Sequence, residues 1–302
     1  MAKKIQNIAI IGCGVIGTGW AIRFLSKNLN VRIYEPKIVQ QNFFYNEIKR
    51  TKQITKKFYN IKKINTKNVQ FFKTIEETVK NTDLIQENVT ENLKIKKIVI
   101  KEISKWAKND AIIASSSSGL LPSKIQSVCK NPGRFLIAHP FNPVYLIPLV
   151  EIVKGKKTLS KYMNKSKLFY ELLGMKPLIL KKEIDGYLSD RLQESMWRES
   201  LHILNANLAT TDDLDKSITY GPGLRWALMG TFLTFHLAGG KNGMTHMLKQ
   251  FGPTLKQPWT KLKAPKLTKR LSKKIIKETR NQSKGKSIAK LTQIRDNFLI
   301  DL

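Results

Sequence analysis

The chain has 302 residues, of which 41% are hydrophobic and two are cysteines. A length of this size accommodates two cores, and the composition excludes a disordered tail protein and a disulfide-framed secreted module; Cys13 and Cys129 suit a reducing cytosol. The formal charge of +32 is carried mostly by lysine along nearly the whole chain, densest in 49–67 and 261–286. No zinc knuckle, helix-turn-helix or aromatic-basic strand motif organises it, so it reads as a solvated surface rather than a nucleic-acid site.

In chain order, the apolar run Asn7–Ile11, a glycine cluster, a helical pattern over 17–27 and a second run at 31–34 spell strand, turn, helix, strand. Residues 38–64 mix apolar and basic side chains at helical spacing, which predicts an inserted helical hairpin burying Phe43, Phe44, Ile48, Ile54 and Phe58. Further short strands are expected at Val69–Phe72, 84–86, 111–114, 135–138 and 149–153, separated by helices. That alternation predicts an α/β fold with a doubly wound, mostly parallel Rossmann-type sheet. From Asp185 the β-branched runs give way to helical patterns over 190–206, 211–220 and 224–237. The expected division is a dinucleotide-binding domain at 1–183 and an all-helical domain at 184–302. The longest apolar stretch, 226–237, is interrupted by Gly230, Thr231 and Thr234 and falls short of the ~20 residues that cross a bilayer. With no signal-peptide pattern at the start, a soluble cytoplasmic protein is expected.

Gly12-Cys13-Gly14-Val15-Ile16-Gly17 matches G-x-G-x-x-G after a strand and at the opening of a helix. The first glycine permits the tight turn, the second lets backbone approach a pyrophosphate, and the third allows close helix–strand packing. Glu35, at the end of the second strand, is placed to accept hydrogen bonds from an adenosine ribose. A carboxylate there repels a 2′-phosphate, so NAD is expected over NADP, although Lys37 and its neighbours could offset part of that repulsion.

Of the histidines at 139, 202, 236 and 246, His139 follows a strand at the carboxyl edge where doubly wound sheets bind ligands. Imidazole is suited to take the proton when a secondary alcohol is oxidised, and Glu151, in the next strand, could hold its other nitrogen. Ser118 closes a serine run at another strand end. It could donate to the substrate oxygen, or the run could cap a helix starting near Pro122. No metal site is expected.

Together these residues resemble the 3-hydroxyacyl-CoA dehydrogenase superfamily over essentially the full length, which joins a glycine-rich NAD fold, a serine-rich strand end, H-x-F-N-P, a downstream L-V-E strand and a helical dimerisation domain. The resemblance implies a homodimer, catalytic positions at Ser118, His139 and Glu151, and cofactor contacts at Glu91, Lys96 and Asn142. One position departs from the pattern. In Gly186-Tyr187-Leu188-Ser189-Asp190-Arg191, Asp190 stands where the acyl-CoA enzymes carry asparagine. An ionised carboxylate cannot donate to a developing oxyanion, but it can hold a positive charge. Together with the runs 116–122, 139–145 and 223–232, the substitution looks like the branch acting on a small zwitterionic 3-hydroxy acid, carboxylate at one end and quaternary ammonium at the other. Arg225 suits the carboxylate. Aromatic faces suit the ammonium, with Trp226 and Phe232 foremost among a set including Phe235, Trp197 and Tyr220, and Asp190 supplies charge. Other small hydroxy acids or 3-hydroxyacyl-CoA remain alternatives, as does a catalytically silent crystallin-like or nucleic-acid-binding relative.

Overall fold

The computed structural model describes residues 5–253 and, beyond them, 257, 259–260, 263, 266, 268–282 and 284–301. The lysine-dense stretch 261–286 therefore lies partly outside the described residues. The chain forms two compact units, Met1–Asp190 with Thr292–Leu302, and Arg191–Leu291.

The first unit opens with β1 (Asn7–Ile11), α1 (Val15–Ser26) and β2 (Asn30–Tyr34), followed by the hairpin α2 (Ile38–Arg50) and α3 (Lys52–Tyr59). It continues through β3 (Val69–Phe72), α4 (Ile75–Val79), β4 (Leu84–Glu87), α5 (Leu93–Trp106), β5 (Ile112–Ser115), α6 (Pro122–Gln126) and β6 (Phe135–Pro140). Then come β7 (Leu149–Lys154), α7 (Ser160–Leu172) and β8 (Lys176–Leu180). The strands form one sheet in the order β3-β2-β1-β4-β5-β6-β7-β8. All neighbours are parallel except β6 and β7. The chain winds outward in both directions from β1, so its carboxyl end lies at the switch point where such sheets take their ligands.

Both faces of the sheet are covered, as a parallel sheet requires. Along β1, Ile8 and Ile10 enter a core with Trp20, Phe24 and Tyr170, while Ala9 and Ile11 enter a second core with Ile100, Ile103 and Ile113. The strand period of two sorts them. β8 is absent from the strands expected above. Pro177 interrupts its short run, and proline is tolerated there because this is the edge strand.

The α2–α3 hairpin forms as expected and buries Phe44 completely, with Ile48 and Ile54 packed partly. Phe58 is a correction, being 39% exposed. The inward face of α3 follows Thr51, Thr55 and Tyr59 at i, i+4 spacing; Tyr59 donates its hydroxyl to the Tyr145 carbonyl, and Phe58 packs edge-on against Tyr59 from outside.

The helical elements that follow are α8 (Ser189–Asn205), α9 (Thr211–Thr219), α10 (Pro222–Ala238), α11 (Gly243–Phe251), α12 (Lys269–Gln282) and α13 (Ile288–Asp301). α9 starts with a capping box between Thr210 and Asp213. Proline opens α10, and Gly230 kinks it with φ 71° and ψ −175°, a conformation an L side chain rarely adopts. Among the described residues no helix is long and apolar enough to cross a membrane.

The division after Asp190 differs from the expected 183/184 boundary for two reasons. The Leu188 and Ser189 amides bond Glu151 of β7, which ties the start of α8 to the sheet. At the other end, Asp296 of α13 is buried and accepts from Arg50 at 3.0 Å and from the Tyr145 hydroxyl at 2.8 Å.

Candidate active site

The glycine-rich turn runs from β1 into α1. Gly12 has φ 88°, and a Cβ there would come within 3.0 Å of the Asn88 carbonyl oxygen. A Cβ on Gly17 would sit 2.0 Å from the Gly12 oxygen, so only glycine lets α1 pack this close to the turn. Gly14, the N-cap, is different: a Cβ there meets nothing within 4 Å. No side chain caps α1 and no acidic residue occupies its first turn, which leaves the helix's first amides and positive dipole end for an anion.

Glu35 closes the turn from the end of β2, where it is 8% exposed. One carboxylate oxygen accepts the Cys13 amide at 2.9 Å and the other the Lys37 amide at 3.0 Å. Cys13 itself is fully buried. Burial pushes its thiol up to about 12, a hydrogen bond with Thr18 only partly opposing this, so it stays neutral at the glycine-rich turn. Val15 and Ile16 form the first turn of α1. An uncapped helix start, an open glycine and a carboxylate on the ribose side fit a dinucleotide with a free 2′-hydroxyl.

β6 and β7 are antiparallel, and their register sets His139 directly opposite Glu151. Paired residues share a face, and Nδ1 of His139 lies 2.9 Å from Glu151 Oε2. The other oxygen of Glu151 accepts from the Leu188 amide, the Ser189 amide and the Ser189 hydroxyl at 3.0–3.2 Å. Burial pushes the Glu151 carboxyl upward, yet the bonds from His139, Ser189 and Leu188 together outweigh it and hold it below the usual carboxylate range. An ionised Glu151 favours the tautomer that donates from Nδ1–H, which leaves the Nε2 lone pair directed outward. Asp190 Oδ2 lies 3.7 Å from that Nε2. Phe141 and Tyr187 pack on the imidazole with centroids at 4.8 and 5.6 Å.

Gly186 and Tyr187 both have positive φ, 72° and 47°, and this reversal aims the next two amides at Glu151. Tyr187 is fully buried and donates to the Leu120 carbonyl. Burial drives its ionisation far upward, so it stays a neutral phenol.

The serine run follows β5, but its side chains do not cap α6: the N-cap is Leu121, with no side-chain cap bond. Ser115 and Ser117 instead bond carboxylates, Glu87 and Glu91, each at 2.5 Å. Ser118 and Gly119 donate their amides to the same Glu91 oxygen, at 3.1 and 3.2 Å. Lys96, 1% exposed, contacts Glu87 at 2.9 Å, the Val89 carbonyl at 3.0 Å and Glu91 at 3.4 Å. Lys96 thus underpins the loop that bears Glu91, and Glu91 in turn holds the loop that bears Ser118. Asn142 is exposed, just past the end of β6.

Gly12–Gly17, Glu35, Glu91, Lys96, Ser118, His139, Asn142, Glu151 and Asp190 all belong to the first unit. Arg225, Trp226 and Phe232 lie on α10 of the second. α10 buries little of its surface, and Arg225 is exposed on it. Sequence reasoning missed Glu87, Ser117, Phe141, Tyr187 and Ser189. Glu87 and Ser117 carried the signal of standing at or just past strand ends on the ligand edge, whereas Ser189 depends on a left-handed turn that no spacing reveals.

Residues 7–184 match the family model for the 3-hydroxyacyl-CoA dehydrogenase NAD binding domain, and 186–282 match the model for its C-terminal domain. The chain is 47% identical over 300 residues to the L-carnitine dehydrogenase of Bacillus cereus, covering 99% of this chain and 92% of that one. It is 45% identical over 298 residues to the L-carnitine dehydrogenase of Oceanobacillus iheyensis, covering 99% and 97%. Among solved structures, a 5-formyl-3-hydroxy-2-methylpyridine 4-carboxylic acid 5-dehydrogenase, described as an NAD+-dependent dismutase, superposes with a TM-score of 0.82 at 22% identity, covering 99% and 97%. The (S)-3-hydroxybutyryl-CoA dehydrogenase of Ralstonia eutropha superposes at 0.62 with 22% identity over 82% and 85%. These two likenesses concern the fold. The family models, matched in succession along the same chain that sets His139 against Glu151 beside a dinucleotide turn, show that it belongs to the 3-hydroxyacyl-CoA dehydrogenase family.

Proposed function

We propose that this NAD-dependent dehydrogenase oxidises the 3-hydroxyl of L-carnitine to 3-dehydrocarnitine. The observation that carries the reading is the His139–Glu151 pair with Asp190 at 3.7 Å from its outward nitrogen. A general base is thereby combined with the carboxylate that departs from the acyl-CoA enzymes. The relatives named as L-carnitine dehydrogenases, at 40–47% identity over at least 98% of this chain, support the same substrate.

NAD, when bound at the glycine-rich turn, supplies the acceptor for the hydride. His139 receives the hydroxyl proton at Nε2, and Glu151 stabilises the resulting imidazolium through Nδ1–H. The hydroxyl of Ser118 donates to the substrate oxygen, its loop held by Glu91. Glu91 and Asn142 contact the cofactor, and Lys96 acts on it through Glu91. Arg225 takes the carboxylate in a bidentate grip. Trp226 and Phe232 carry aromatic faces suited to a trimethylammonium group, which has no hydrogen to donate, and Asp190 carries a negative charge suited to the same cation.

The protein is proposed to act as a cytoplasmic homodimer. α10 leaves Leu228 and Phe232 81% and 82% exposed in a single chain, which is apolar surface suited to cover by a second copy. The test is NADH formation followed by absorbance with L-carnitine, D-carnitine, 3-hydroxybutyrate and 3-hydroxybutyryl-CoA. Turnover with L-carnitine alone is expected. Silence with L-carnitine alongside turnover of the CoA ester would overturn the substrate assignment.

A further inference from the structure

His139 meets a carboxylate at each ring nitrogen. Glu151 takes Nδ1–H at 2.9 Å, while Asp190 Oδ2 stands 3.7 Å from Nε2, outside hydrogen-bond range. With Nε2 unprotonated, a lone pair and a carboxylate face each other across that gap and repel. Once Nε2 carries a proton, the same neighbours become donor and acceptor, or cation and anion. Asp190 therefore discriminates between the two states of the base. The fold holds it there: the amides of Leu188 and Ser189 are fastened to Glu151, so the Asp190 position is set by the carboxylate on the other side of the ring.

We propose that Asp190 is a second counter-charge of His139, a positioning residue that holds the proton on Nε2 after it leaves the substrate hydroxyl. In oxidation the substrate O–H bond breaks and an Nε2–H bond forms, and the imidazolium then lies between Glu151 and Asp190. In reduction the same proton returns to the new alkoxide oxygen. The asparagine of the acyl-CoA enzymes carries no charge and could not do this. The inference rests on His139 being the base, and it holds whether or not Asp190 also meets the substrate ammonium.

The ionisable groups that face the ring are Glu151 from β7, Asp190 from the first turn of α8, and the phenol of Tyr187, which burial keeps neutral. In the substrate-free protein, protonation of His139 is read from histidine side-chain NMR signals against pH, with assignment by loss of the signal in His139→Gln. Asp190→Asn is expected to lower the midpoint, because a facing carboxylate favours the protonated ring. Asp190→Glu should restore part of the shift, and Asp190→Ala provides a second neutral variant should the asparagine fold poorly. The acidic limb of kcat/KM for alcohol oxidation should move the same way by the same amount. A midpoint unmoved in both neutral variants would overturn the proposal, including the case where KM for the substrate rises. Because the titration needs no substrate, it reads out even if L-carnitine is not the substrate.

Discussion

At Glu151, burial and hydrogen bonding act in opposite directions, and hydrogen bonding prevails: four donors on its two oxygens offset the desolvation of a fully buried carboxylate. Because its folded value lies below the ordinary unfolded value of about 4.3, its contribution to stability is complete above that pH and is lost as pH falls through the lowered folded value. Urea unfolding measured from neutral pH downward should therefore show wild type losing stability in acid, with Glu151→Gln losing less over the same window. Parallel acid limbs in the two proteins would remove Glu151 as a contributor. For His139, truncation to alanine deletes the base but touches nothing in the glycine-rich turn. The expected loss in kcat is on the order of 10²–10⁴, with NAD affinity by fluorescence titration changed less than about twofold. A matching loss of NAD affinity would point to a structural histidine instead.

Two elements are held by contacts of different kinds. Where α1 meets the turn, the glycines separate by role. Gly17→Ala would drive a methyl to 2.0 Å from a backbone oxygen that cannot rotate away, so α1 must shift. A stability loss of about 1–3 kcal/mol and failure to bind NAD are expected. Gly14→Ala places its methyl in open space, so thermal unfolding should change by less than about 0.5 kcal/mol while NAD binding weakens. Equal stability losses in both variants would contradict this division between a packing glycine and a ligand-facing glycine. Between β4 and α5, the Glu87–Lys96 pair is almost wholly out of water. Lys96→Met would strand the Glu87 charge and should cost about 3–5 kcal/mol, much of it regained by adding Glu87→Gln. Denaturant unfolding of the two variants checks this, and an unrecovered double variant would mean that Lys96 acts by packing rather than by charge.

For the whole molecule, the question is what covers the second unit. A helix of mainly apolar residues with only Thr234 buried is unusual for a chain that stays alone in water. Sedimentation should give twice the chain mass for wild type, and Phe232→Glu with Leu228→Lys should yield monomers. A wild-type monomer would refute the homodimer. The C-terminal segment returns to the first unit through Asp296, Arg50 and Tyr145, so the chain closes on its own nucleotide-binding unit. Among the described residues the lysines behind the +32 charge are mainly exposed, in keeping with a solvated surface.

Several features were legible from residue order alone because their causes are local. A glycine cluster between an apolar strand and a helix, the strand period of two, the hairpin after β2 and a histidine at a strand end all arise from neighbours along the chain. The tertiary structure alone decided the rest. Phe58 faces outward because the inward line of α3 follows Thr51, Thr55 and Tyr59, a choice set by what the hairpin packs on. Pro177 is acceptable in β8 only because that strand is an edge. Glu151 could be named from its place one strand beyond His139, but its contact with Ser189 and the 3.7 Å approach of Asp190 come from a left-handed turn at Gly186 and Tyr187. Contacts between residues 38 or more positions apart depend on how the backbone turns between them, and hydrophobic periodicity carries no record of that turn.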